Sequence, residues 1–194
     1  METQFSEQDS LAVISKMIET AKNQVEKYTG VYLLLWGYLV FTSSMLHFIL
    51  LKFTPYAKYS DYSYLLILTG CFFIIPIHRK QAAEEKVKTF VGQVVGYFWI
   101  SFAVTSVLLG AFVFIQPSIG SYIFPLMLIL LATVLFASGT AYKYRPLIAG
   151  SIVCWVASLL TFFVNFEYQI LIYAASILTG YIIPGHMIIH KAHV

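Results

Sequence analysis

Charge is what this sequence has least of. Only 11% of its 194 residues are Asp, Glu, Lys or Arg, and 59% are hydrophobic. A water-soluble domain carries about 25% charged residues. With mean hydropathy at +0.79, too little polar surface is left to face water, and a soluble globular fold is excluded. No Asp, Glu, Lys or Arg falls in the middle of an apolar run. Ionisable groups inside a membrane are costly and mark ion pathways or proton relays, so their absence argues against a transporter built around a buried carboxylate. The only two cysteines, Cys71 and Cys154, form no CxxC pair and read as small packing residues. Phosphate-cradling loops, paired carboxylates and nucleophile–base pairs are also missing. The net charge of +3 is too small to suggest nucleic acid. No enzyme, no cofactor and no nucleic-acid partner is expected.

Long apolar runs, in contrast, are abundant. A membrane-spanning helix needs about 20 mostly apolar residues, and six stretches approach that length: 31–51, 62–77, 91–115, 122–142, 147–165 and 168–189. Strands of a membrane barrel would alternate apolar and polar residues, and these runs do not. The pattern predicts an all-α, polytopic membrane protein with six transmembrane helices over residues 30–194, preceded by a separate amphipathic helix over residues 1–29. The first thirty residues lack the basic start and short apolar core of a secretory signal, so none is expected.

Lys and Arg near span ends favour the cytoplasm. On one side lie Lys16, Lys22, Lys27, Arg79, Lys80, Lys86, Lys88, Lys143, Arg145 and Lys191; the other has only Lys52 and Lys58. Both termini are therefore expected in the cytoplasm, with short outer connections. Tyr56, Tyr59, Tyr62 and Tyr64 outside, with Tyr142 and Tyr144 inside, read as an aromatic belt in contact with lipid.

One phrase occurs twice. LTGCFFIIPIHRK starts at Leu68 and LTGYIIPGHMIIHK at Leu178. Trp36, Trp99 and Trp155 are each followed six residues later by Thr42, Thr105 and Thr161, and Gly70, Gly139 and Gly180 stand near the inner ends of the even helices. This suggests three parallel helical hairpins. Pro76 and Pro184 would free the carbonyls of Phe72 and Gly180, making Gly180, Pro184 and Pro76 candidate hinges; the plainer reading is a pair of equivalent kinked helix exits.

The polar residues within the runs, among them Thr42, Ser43, Ser44, Gln93, Ser101, Thr105, Ser106, Ser158 and Thr161, suit helix–helix packing, as does Gly92-x-x-x-Gly96. Lining for a small neutral solute is the alternative. His47 reads as a hydrogen-bonded structural histidine. His186, His190 and His193 would share a helical face and could capture a metal, yet the stretch offers no supporting second layer of groups, so no metal site is assigned.

In SEQDSLAVISKMIETAKNQVEKY, Ser6 and Asp9 resemble a capping box. Leu11, Ile14, Ile18, Ala21 and Val25 recur at 3-then-4 spacing, a seam that must be covered. Thr29-Gly30 is expected to break the helix before the first span. SLAVISKMIETAKNQV followed by LLLWGYLV resembles the opening of a family of small bacterial inner-membrane proteins of uncharacterised activity. The resemblance covers roughly the first fifty residues and implies a bacterial inner membrane, without bringing an activity.

Two functions follow as expectations. The first is an interaction or regulatory protein whose cytoplasmic face engages a cytoplasmic protein or a second copy in a homo-oligomer. The alternative is a channel or facilitator for a small neutral or weakly charged solute.

Overall fold

The computed structural model describes the backbone of residues 7–84 and 89–192, and the side chains of residues 28–84 and 89–190. Among the described residues seven α-helices follow one another: α1 (Glu7–Phe53), α2 (Leu65–Glu84), α3 (Phe90–Ile115), α4 (Ile123–Ala141), α5 (Arg145–Thr161), α6 (Phe166–Ile177) and α7 (Ile183–Ala192). Two 3-10 segments, Ala57–Tyr64 and Pro117–Tyr122, lead into α2 and α4, and a π turn, Leu178–Ile182, joins α6 to α7. The fold is the expected all-α polytopic one. Among the described residues five stretches are long and apolar enough to cross a bilayer: Tyr28–Phe53, Ala57–Glu84, Phe90–Ile115, Pro117–Ala141 and Phe166–His190. The sixth, α5, is shorter at 17 residues, about 26 Å at 1.5 Å per residue.

One expectation is corrected. Thr29-Gly30 does not break the chain, and α1 runs as one helix of 47 residues from before the first span to its far end. Glycine weakens a helix interior by about 1 kcal/mol, but Gly30 is held where a side chain would not fit. A Cβ there would lie 2.7 Å from Ile189 Cγ1 and 3.2 Å from the Gly185 carbonyl oxygen. Close packing of α1 on α7 uses the missing side chain and outweighs the local propensity.

Contacts at two sides fix which helix ends lie together. At one side, the Tyr28 hydroxyl donates to Glu84 at 2.6 Å and the Tyr32 hydroxyl to Gln81 at 2.6 Å, joining the start of the first span to the end of α2. At the other, Lys52 pairs with Glu167 at 2.5 Å, joining the end of α1 to the start of α6. Thr29, Tyr142, Tyr144 and Ile188 meet on the Tyr28 side.

The core sits among α1, α4, α5, α6 and α7. Leu128, Leu131, Leu135, Leu147, Cys154, Ile170 and Ile177 are buried there. By contrast α3 presents Ile100, Val104, Val107, Leu108 and Phe114 outward, as a lipid-facing helix does. Cys71 is exposed on α2 and Cys154 is buried.

Local signals close several elements. Thr89 caps α3, its hydroxyl accepting from the Gly92 N–H at 3.1 Å. At the end of α4, Lys143 takes φ 53°. The Tyr144 N–H reaches the Gly139 carbonyl at 2.7 Å and the Lys143 N–H the Thr140 carbonyl at 3.1 Å, a Schellman stop with lysine where glycine is usual. Pro146 then opens α5 in its first turn.

Candidate functional site

The residues picked out in the sequence separate into three places. Leu11, Ile14, Ile18, Ala21 and Val25 all fall on the unbroken start of α1; their side chains lie outside the described residues, as do Lys86, Lys88 and His193. Pro76 is exposed within α2, which continues through it, and His78 beside it is exposed. Gly180 and Pro184 are buried around the π turn.

The two copies of the repeated phrase therefore meet different fates. Gly70 packs under Trp36 and Leu39, whereas Gly180 packs against the backbone of Gly150 and the sulfur of Cys154. In the second copy the helix widens, with the Ile183 N–H bonding to the Leu178 carbonyl, five residues back. Pro184 has no N–H for Gly180, and the Gly180 carbonyl instead lies against Gly150, where an added Cβ would come within 2.5 Å. Gly139 is also buried, against Ile148 and Leu147. Gly92 and Gly96 make no such helix contact: the nearest group to Gly92 is its own cap Thr89, and nothing lies within 4 Å of a Cβ on Gly96.

His186 is turned towards α1. Its Nε2 is 2.7 Å from the Tyr38 hydroxyl, His190 is exposed, and among the described residues no three His, Cys, Asp or Glu gather to hold an ion.

Most hydroxyls in the spans turn back on their own helix. Ser44 bonds the Val40 carbonyl, Thr105 that of Ser101, Thr133 that of Ile129 and Ser176 that of Ile172. Ser158 is a cross-helix bond, its hydroxyl donating to the Pro125 carbonyl on α4 at 3.0 Å. Of these bonds, the one from Ser158 joins two helices, the use that small polar residues have in helix packing.

The residue that sequence reasoning undervalued is His47. The ring is 1% exposed, and neither nitrogen has a hydrogen bond among the described residues. That corrects the expected hydrogen-bonded histidine. Nδ1 lies 3.7 Å from Oδ1 of Asp61 in the Ala57–Tyr64 segment. Tyr64 tilts against the imidazole at 5.2 Å between ring centres, and Phe166 of α6 approaches edge-on at 6.2 Å. Ser43, one turn back on α1, Ser63 and Gln169 are also buried, and Ser43 Oγ, Ser63 Oγ and Gln169 Oε1 have no partner among the described residues. Ser60 and Ser63 are buried because the expected outer loop is a 3-10 turn folded onto α1. Alternation of apolar and polar residues cannot reveal such a turn; the neighbouring Ser60, Asp61 and Ser63 were the available hint.

Comparison with protein-family models, curated proteins and solved structures finds no match. Fold and chemistry together define an integral membrane helical bundle.

Proposed function

We propose that this chain is a membrane-embedded interaction protein that acts through the face bearing the start of α1, and that the partner of that helix is a second copy of the chain. The observation that carries this reading is the unbroken run of α1 from Glu7 to Phe53. A helix that lay on the membrane or folded under the bundle would need a sharp break between seam and span, and sharp kinks come from proline, glycine pairs or inserted groups. Without a break, residues 7–27 continue along the direction of the span for about 30 Å at 1.5 Å per residue. Their seam is carried away from the lipid and is left for another protein surface to cover.

The seam suits its own copy. Two chains inserted the same way present it in parallel. With Leu11, Ile18 and Val25 at one core position and Ile14 and Ala21 at the other, the facing flank positions are Ser10 with Ser15 and Met17 with Lys22, so no like charges oppose one another. Lys16, Glu19, Glu26 and Lys27 stand away from the seam. The ten-to-two bias of Lys and Arg supports a cytoplasmic location for this face and for both ends of the chain. Residence in a bacterial inner membrane rests on the resemblance of the opening residues. The filled centre of the bundle, packed by Leu128, Leu135 and Ile170, lends no support to a solute route.

Disulfide scanning in native membranes tests the proposal, with single cysteines placed from residue 9 to residue 25 in a Cys71→Ala, Cys154→Ala background. Self-cross-linking should peak at 11, 14, 18, 21 and 25, and Ile14→Asp with Ile18→Asp should abolish it at the remaining positions. Cross-linking that is absent, or flat along the helix, refutes it.

A further inference from the structure

The His47 cluster lies at the opposite side of the bundle from the seam, and nothing in the proposed interaction uses it. We propose that His47 and Asp61 form a proton-operated latch, in which protonation of His47 from the outer side fastens the Ala57–Tyr64 turn onto α1.

Geometry carries the inference. Buried polar groups in native proteins are hydrogen-bonded with few exceptions, and each exception calls for an explanation. Here the buried imidazole has no hydrogen-bond partner among the described residues, and a carboxylate stands 3.7 Å from its Nδ1. A neutral imidazole offers one donor and one acceptor; an imidazolium offers two donors. The Asp61 carboxylate suits the second state, against the cost of burying a charge: it faces Nδ1 at 3.7 Å, and the Tyr64 ring lies against the imidazole at 5.2 Å. Asp61 accepts only. Its side chain is 88% exposed, so it reaches bulk water and can pass a proton inward.

Every charged or titratable neighbour fits this assignment. On α1 itself Lys52 is engaged with Glu167 of α6, which leaves Glu167 committed. The Ala57–Tyr64 turn supplies Asp61 and Tyr64. From α6, Phe166 faces the ring, and the buried Tyr173 packs on Phe124. Asp61 is thus the carboxylate positioned to receive an imidazolium. At 3.7 Å the pair is just beyond hydrogen-bond length, and a movement of less than an ångström by the exposed turn closes it.

The test uses the full chain in lipid nanodiscs. Histidine-selective 15N spectra between pH 8 and pH 4 follow His47, identified by its loss in His47→Gln. Amide exchange over residues 57–64, corrected for the intrinsic effect of pH, follows the turn. Asp61→Asn changes only an exposed side chain and so keeps the fold. Burial of the ring opposes a charge there and the nearby carboxylate favours one. The latch therefore expects His47 to take up a proton within this range in the wild type and to need a lower pH to do so in Asp61→Asn. The turn should gain protection on acidification in the wild type alone. The latch is refuted if His47 does not titrate in this range, if Asp61→Asn titrates like the wild type, or if corrected exchange ignores pH.

Discussion

Gly150 and Gly180 face one another backbone to backbone. A Cβ on Gly150 would lie 2.5 Å from the Gly180 carbonyl oxygen, and a Cβ on Gly180 would lie 2.9 Å from the Gly150 carbonyl oxygen. The relation is reciprocal: each α-carbon points a hydrogen at the other's carbonyl. Such C–H···O contacts are individually weak but recur where helices approach closely, and small residues are what permit the approach in lipid. Here they pin α5 to the π turn at the centre of the bundle.

Gly150→Ala should therefore destabilise the bundle. The new methyl meets backbone on the facing segment, which cannot move aside as a flexible side chain would. The expected loss is about 3 kcal/mol, the upper end for an overpacked core, read as a lowered unfolding midpoint in detergent. Gly96→Ala is the control. Nothing lies within 4 Å of its Cβ, so stability should hold or rise by up to about 1 kcal/mol through better helix propensity.

Pro184→Ala separates two origins of the π turn. The proline removes one N–H, but the Gly180 carbonyl it would have bonded is already packed on Gly150. If that contact holds the wide turn, Pro184→Ala should change stability by less than about 1 kcal/mol, because the added N–H only supplements a carbonyl that has found a place. A loss as large as that of Gly150→Ala would show instead that the proline holds the turn open.

The membrane bundle was legible because lipid demands long apolar helices, and six apolar runs of the right length leave little choice of fold. The continuity of α1 was not legible, because Thr29-Gly30 has the local preference of a helix stop; what keeps the helix going is Gly185 and Ile189, nearly 160 residues away. The likeness of the two Leu-Thr-Gly phrases also misled in part. Identical local sequence meets Trp36 in one place and Gly150 in the other, and the partner decides whether the helix stays α or widens. His47 was undervalued for the same reason, since Asp61 reaches it only through the 3-10 turn.

Lys143→Gly should stabilise the protein. Lys143 occupies the left-handed position of the stop after α4, with φ 53°, where a side chain crowds the following carbonyl and glycine does not. Both bonds of the stop use backbone alone, so the substitution leaves them intact. A gain of about 1 kcal/mol is expected, measured by chemical unfolding. Lys143→Ala should show none of it.

Tyr28→Phe combined with Tyr32→Phe should loosen the far end of α2 while leaving the bundle folded. The two hydroxyls stand one turn apart on α1 and donate to Glu84 and Gln81 on α2, so the pair acts as a double clasp where α2 leaves the membrane. A hydrogen bond to a charged group contributes about 1.5–3 kcal/mol and a neutral one about 1 kcal/mol. Partial replacement by water and by the partners' other contacts brings the expected loss to about 2 kcal/mol, a roughly thirtyfold change in an opening equilibrium. Amide exchange over residues 77–84 should accelerate by that factor, with residues 128–135 in the core unchanged. Equal acceleration in both regions would mean that the tyrosines support the whole bundle and not the end of α2.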